Sequence, residues 1–391
     1  MIVNLNHIKM SLLYKKTITL DTSLLIKYLR SCLINYISKK PKFNSDLENL
    51  KTQLLLNDNS FIVDLRQNLT LDSLKKTNSF LSDNSSYLIV IFLHLSRILD
   101  IDNKDEDGRQ LSKESFYYEY LKTNPYLCDE IIEILHYDII KCKPKLVLTS
   151  DLDWPFFYTN TFKGWARKLY HFLTGKYIGD KFDKILEMSK FSNSLNTEWL
   201  FFLLPKGTDT RDSKSFELKR LNKRFSHLDH LNYSYQIGYH IPISSVSEHT
   251  EIYPQLENIR KKHLVNSVRS HYLCSSHEMD KISFLNNIQS DYSDGYTDAI
   301  SSFSGFSKPY YSWNSFRENK KLLKYPTNIM DIHLKNYYEN GDDFKKDVQY
   351  LFYEAKKYNA HLTVLWHNDN FNLENDTNSL MISEIYRLWG K

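Results

Sequence analysis

Apolar and polar positions change period several times along the 391 residues, and those changes predict the elements. Ser23 to Ile37 carries apolar residues at helical spacing, with Thr22 as its candidate cap. Tyr87 to Leu99 is a second apolar segment, and it ends at an acidic stretch, Asp100 to Gly108, predicted as a surface loop. Asn124 to Ile140 reads as a further helix. From Lys145 onward the pattern shifts to short apolar runs of strand length: Lys145 to Ser150, Trp199 to Pro205, Ile329 to Leu334 and His361 to His367. Between the last two, Phe344, Val348, Leu351, Phe352 and Ala355 share one helical face, with Asp342 or Asp343 as cap. Alternating strands and helices predict an α/β layered or barrel fold, with chemistry at the C-terminal strand ends.

Composition narrows this picture only a little. A 41% hydrophobic fraction supports a sizeable core, and a net charge of +4 with dispersed Lys and Arg gives no nucleic-acid footprint. Cys32, Cys128, Cys142 and Cys274 form no CxxC pair and read as reduced thiols. No stretch reaches the roughly 20 apolar residues of a transmembrane helix, and Met1 to Thr22 lacks a signal-peptide core. The expectation is a cytoplasmic protein. The Asp100 to Gly108 stretch has its glycine at the wrong offset for a calcium loop and no closing glutamate. Gly305 to Pro309 lacks the repeated glycines of a phosphate loop, and Ser244 and Ser245 lack a nucleophile elbow. His249, His263 and His277 lie in polar stretches and read as solvated.

Several strand-like runs end in an acid or a histidine. Asp151 and Asp153 follow the first; His240 ends the run from Tyr235; Arg269 and His271 follow Val268; Asp291 follows Ser290; His367 ends the last. Asp151 and Asp153 point to one face of an extended chain and repel unless a cation or proton intervenes. One could bind a divalent metal while the other serves as general base; equally, the pair could form a strand-end turn. Arg269 could orient Asp151 through a charge-assisted bond. His367 reads as an acid, an orienting group or a buried structural histidine.

In order, Thr149 to Pro155, Ile237 to His240, Arg269 to Tyr272, Asp291 to Tyr296, Gly305 to Tyr310, Pro326 to Asp331 and Leu365 to Asn368 resemble the polysaccharide deacetylase family, carbohydrate esterase family 4. Upstream, Phe92 to Arg97, Asp107 to Arg109, Lys113 to Ser115 and Tyr126 to Glu130 resemble the N-terminal domain of a divergent branch associated with bacterial surface-polysaccharide synthesis. The resemblance implies a distorted (β/α) barrel in residues 144–391 behind a mixed α/β accessory domain in residues 1–143. It implies a metal-dependent deacetylase, most simply with zinc, acting on an N-acetylated glycan or glycolipid precursor. Asp151 would be the general base held by Arg269, Asp153 and His240 metal ligands, and His367 the general acid assisted by Asp291. Ser244 stands where the family carries its second metal histidine, so His271 is the candidate for the missing imidazole. The alternative is a degenerate site that binds glycan or a synthesis partner, with Tyr310, Tyr311 and Trp313 as a sugar platform.

Overall fold

The computed structural model describes residues 15–389 apart from 39, 65–77, 98–108, 110, 113–114, 116–120, 123, 138–139, 141–142, 159–161, 177–179, 181–182, 206, 208, 210, 213–216, 247–251, 275–276, 334–337, 339–340 and 372–375. The acidic stretch 100–108, Cys142 and His249 fall outside the described residues. Cys32, Cys128 and Cys274 are buried free thiols.

The chain is mixed α/β. Strands β1 (Lys15–Thr19) and β2 (Ser60–Asp64) form an antiparallel pair. The larger sheet contains β3 (Lys145–Leu152), β4 (Trp199–Leu203), β5 (Tyr235–Ile241), β6 (Ser267–Ser270), β7 (Ser290–Asp294), β8 (Tyr310–Tyr311), β9 (Leu323–Pro326), β10 (Ile329–Met330) and β11 (His361–His367). Its order is β10-β11-β3-β4-β5-β6-β7-β9-β8, parallel except for β8. Only Thr327 and Asn328 separate β9 from β10, yet these strands stand near opposite ends of that order. Laid flat, seven strand spacings would part them by roughly 34 Å. Three peptide steps reach at most about 11 Å. The sheet therefore curls into a half-barrel bridged by this short segment.

Alternation along the strands divides two apolar layers. Trp199, Phe201 and Leu203 of β4, Ile237, Tyr239 and Ile241 of β5, and Leu362, Val364 and Trp366 of β11 belong to a large outer core. Helices 185–194, 218–230 and 341–357 contribute Met188, Phe225 and Phe352 to the same core. The opposite parity faces inward: Leu200, Phe202 and Tyr292 form a small cluster under the barrel mouth. Gly238 sits beside Phe202 in the register, where an added Cβ would lie 2.4 Å from the Phe202 ring. The missing side chain is what lets that ring occupy the interior.

A second core is built on helices 22–33, 40–55, 83–96 and 127–134. Helix 83–96 is buried on almost every side, as expected of the central helix of a bundle. Tyr296, Phe303, Phe306, Tyr310 and Trp313 complete this core, so its packing runs across position 143. Tyr28 donates to the Tyr311 carbonyl at 2.8 Å, and Ser112 donates to Asp298 at 2.8 Å. Tyr310 and Trp313 are thus buried, Trp313 with its ring edge-on to Tyr28 and Phe92, and Tyr311 packs against the same core. They offer no sugar platform.

Local differences from the expected elements have simple causes. Asp21, not Thr22, caps the first helix by accepting from the Leu24 N–H, and the helix stops at Leu33. The stretch to Ile37 continues as turns tied to distant segments: Tyr36 accepts from the Ile140 N–H at 2.7 Å and donates to the Pro309 carbonyl at 3.3 Å. The apolar run from Ile329 yields a two-residue strand, because Asp331 turns its carboxylate to His367. His263 is half-buried and hydrogen-bonded to Asn222 at 2.7 Å rather than solvated.

Candidate active site

Inward-facing positions at the C-terminal ends of β3, β5, β6 and β11 meet at the barrel mouth. Asp151 lies beside His367 in the β3/β11 register, and His240 beside Arg269 in the β5/β6 register. Arg269 Nη1 donates to Asp151 Oδ1 at 2.9 Å, although β6 and β3 would stand roughly 14 Å apart in a flat sheet. The guanidinium also donates from Nε to the Tyr292 carbonyl at 3.0 Å and from Nη2 to Thr327 Oγ1 at 3.3 Å. Its underside stacks on Phe202 at 4.5 Å. Arg269 is fully buried, and these partners fix it as a strut beneath Asp151.

Asp153, His240 and His271 bring three ligand atoms within 4.8 Å of one another, a group able to hold a metal ion. His240 Nδ1 faces the Arg269 carbonyl at 2.8 Å. A carbonyl only accepts, so Nδ1 carries a proton and Nε2 is the ring nitrogen left to face the acids. That Nε2 lies 3.3 Å from Asp153 Oδ1, and both atoms are buried without a hydrogen-bond partner among the described residues. A cation between them, or a proton on Nε2, would satisfy both. His271 completes the set, with Nε2 3.6 Å from Asp153 Oδ2.

His271 is positioned by a residue that its sequence context does not reveal. Asp212 Oδ1 accepts from His271 Nδ1 at 3.0 Å and from the Ile243 N–H at 2.9 Å. Asp212 Oδ2 accepts from Ser244 N–H at 3.0 Å and Ser244 Oγ at 2.7 Å. Ser244 therefore anchors the carboxylate that aims His271. Burial opposes ionisation of Asp212, yet the His271 and Ser244 donors hold its carboxyl below the ordinary range. After His271 the chain turns through two left-handed residues, Tyr272 (φ 57°) and Leu273 (φ 52°), and the Tyr272 ring packs on the imidazole at 4.5 Å.

His367 Nδ1 is 2.9 Å from Asp331 Oδ1, and Asp331 Oδ2 accepts from the His367 N–H at 2.9 Å. Burial disfavours a charge on the ring, but Asp331, with Asp153 and Asp151 behind it, pushes His367 up to about 10. Burial likewise opposes a charge on His271, and Asp153 and Asp212 raise it to about 9. Asp153 answers in kind: burial works against its charge, while His271 and His240 hold its carboxyl well below the usual range. His367 and Asp153 keep 20% and 16% of their side chains accessible, so both are reachable from a cavity of about 230 Å³. Asp151, His271, Trp154, Tyr272 and Arg109 also line that cavity.

Asp291 does not join this group. Its neighbour Tyr292 faces the interior, so the alternation of β7 turns Asp291 outward. There it accepts from Lys324 at 2.5 Å, and Lys324 also donates to Asp280 at 2.6 Å. Asp331 takes the place expected of Asp291 behind His367. The run Ile329-Met-Asp331 carried the same strand-then-acid signal as the other sites, whereas Asp212 lies in a polar loop that carried none.

The chain matches no family model, and no curated protein matches it. A solved structure from Bordetella bronchiseptica, provisionally described as a polysaccharide deacetylase involved in O-antigen biosynthesis, is similar at 12% identity and a TM-score of 0.31. The likeness covers 58% of this chain and 72% of that one. At that degree it decides neither fold nor activity.

Proposed function

We propose that the protein is a metal-dependent deacetylase, with a distorted (β/α) barrel, that removes an N-acetyl group from a sugar in a bacterial surface polysaccharide or its precursor. The observation that supports this most is the pair of buried atoms without a hydrogen-bond partner among the described residues, His240 Nε2 and Asp153 Oδ1, with His271 Nε2 completing the set and Asp151 alongside. Two imidazole nitrogens and one carboxylate oxygen suit zinc with an open position. A cation held by Asp153, His240 and His271 would supply Lewis acidity, lowering the pKa of a water and polarising the acyl carbonyl.

The remaining chemistry falls to the chain's own residues. Asp151, held by Arg269, takes the proton of the attacking water as its oxygen bonds to the acetyl carbon. His367, held by Asp331, delivers a proton to the sugar nitrogen as the C–N bond breaks, releasing acetate and a free amine. Its raised pKa keeps it protonated at neutral pH, and a neighbouring cation would draw that value down towards neutrality. Residues 1–143, whose core takes in Tyr296, Phe303, Phe306, Tyr310 and Trp313, serve as an accessory unit to this site.

Two measurements test the reading. Protein purified without added metal should contain stoichiometric zinc by elemental analysis, lost in His240→Ala. Asp151→Asn should keep its metal and stay folded, with a lower unfolding midpoint because Arg269 loses its one anionic partner, yet release no acetate from N-acetylated oligosaccharides. Metal-free wild-type protein, or turnover surviving in Asp151→Asn, would remove the proposal.

A further inference from the structure

Helix Phe162–Leu173 wears its amphipathicity inside out. A helix on a globular protein normally turns its apolar stripe to the core. Here Phe162, Trp165, Leu169, Tyr170, Phe172 and Leu173 are exposed, at 82%, 61%, 41%, 58%, 68% and 73%. At 100° per residue they span an arc of roughly 160°. Gly164 is buried on the opposite side. His171, seven residues on and so on that same side, faces the protein: its Nδ1 meets the Tyr158 hydroxyl at 2.9 Å and its ring stacks on Phe157. The contacts that dock the helix thus fix its apolar face outward.

Charge indicates what covers that face. Lys163, Arg167 and Lys168 lie between the apolar arc and the docked side, Lys176 follows, and the helix contains no acidic residue. An apolar face rich in Trp, Phe, Tyr and Leu, bordered by cations, is the pattern of a helix lying flat in an anionic bilayer interface. Twelve residues give about 18 Å, too short for the ~30 Å hydrocarbon core, so the helix lies on the membrane rather than through it. No described helix is long and apolar enough to cross.

We infer that residues 162–173 dock the protein on an anionic lipid surface. The inference stands on this helix and its charges, independently of the proposed chemistry. It does have a consequence for access to the site. Phe162 is nine residues from Asp153, hence within ~30 Å of it even at full extension. Trp154, 45% exposed, carries apolar surface to the rim of the cavity.

Sedimentation of the full chain with vesicles tests this. The protein should pellet with phosphatidylglycerol/phosphatidylethanolamine vesicles and at least tenfold less with phosphatidylcholine alone. Phe162→Ser/Trp165→Ser/Phe172→Ser should abolish pelleting, with circular dichroism confirming the fold. Lys163→Glu/Lys168→Glu keeps the apolar face and should remove the anionic preference, which preserves the test if the triple variant misfolds. No binding to anionic vesicles, or binding that survives both variants, overturns the inference. So does a dimer in light scattering that the triple variant dissociates, because a second copy would then cover the face.

Discussion

Asp212 holds His271 through Nδ1 at 3.0 Å, and so turns Nε2 towards Asp153. A carboxylate behind a histidine fixes its ring orientation and its proton. Asp212→Asn keeps the shape but removes the charge and leaves donors from Ile243 or Ser244 unmatched. Zinc affinity, followed by competition with a chelating dye, should fall about 10–100-fold. Unchanged affinity would show that His271 needs no such support to bind metal.

Arg269 is a buried cation with three kinds of partner, and Asp151 is the charged one. Arg269→Met leaves that carboxylate buried and unpaired, which costs about 3–5 kcal/mol. Denaturant unfolding should show the loss, and adding Asp151→Asn to Arg269→Met should recover part of it. If the two losses simply add, the pair is not coupled, and Asp151 is held by something else.

His94 lies wholly inside the N-terminal core. Burial, with the Arg97 cation adding to it, lowers its pKa from 6.5 to about 3. Below pH 6.5 the unfolded chain takes up a proton that the folded chain refuses, so this contribution to stability is complete above 6.5 and falls as pH drops towards 3. Each pH unit is worth about 1.4 kcal/mol, or about 2 kcal/mol between pH 6.5 and 5. Urea unfolding at pH 7.5 and 5 should show wild type losing that much more than His94→Gln. Equal losses would count against a buried neutral His94.

Much of the architecture is legible in local pattern. The helical face of Phe344, Val348, Leu351, Phe352 and Ala355 is buried in helix 341–357, with Asp342 and Asp343 in its first turn. The runs at Lys145, Trp199 and His361 are strands. Acids and histidines at strand ends mark the site because only two features are needed, a strand and the parity of its last residue. Parity also decided against Asp291, but the bounds of β7, and hence which of Asp291 and Tyr292 faces inward, depend on pairing with β6 and β9.

What the sequence determined by itself is therefore one-dimensional: which segments alternate, which faces are apolar, and which strands end in Asp151, Asp153, His240, Arg269 and His367. Tertiary structure alone decided which of these touch. Arg269 reaches Asp151 only because the sheet curls, and curl arises from packing over many strands rather than from any one of them. Asp212 and Asp331 became the partners of His271 and His367 for the same reason: a hydrogen bond between distant segments is set by where the chain has been folded to, and no local periodicity encodes that.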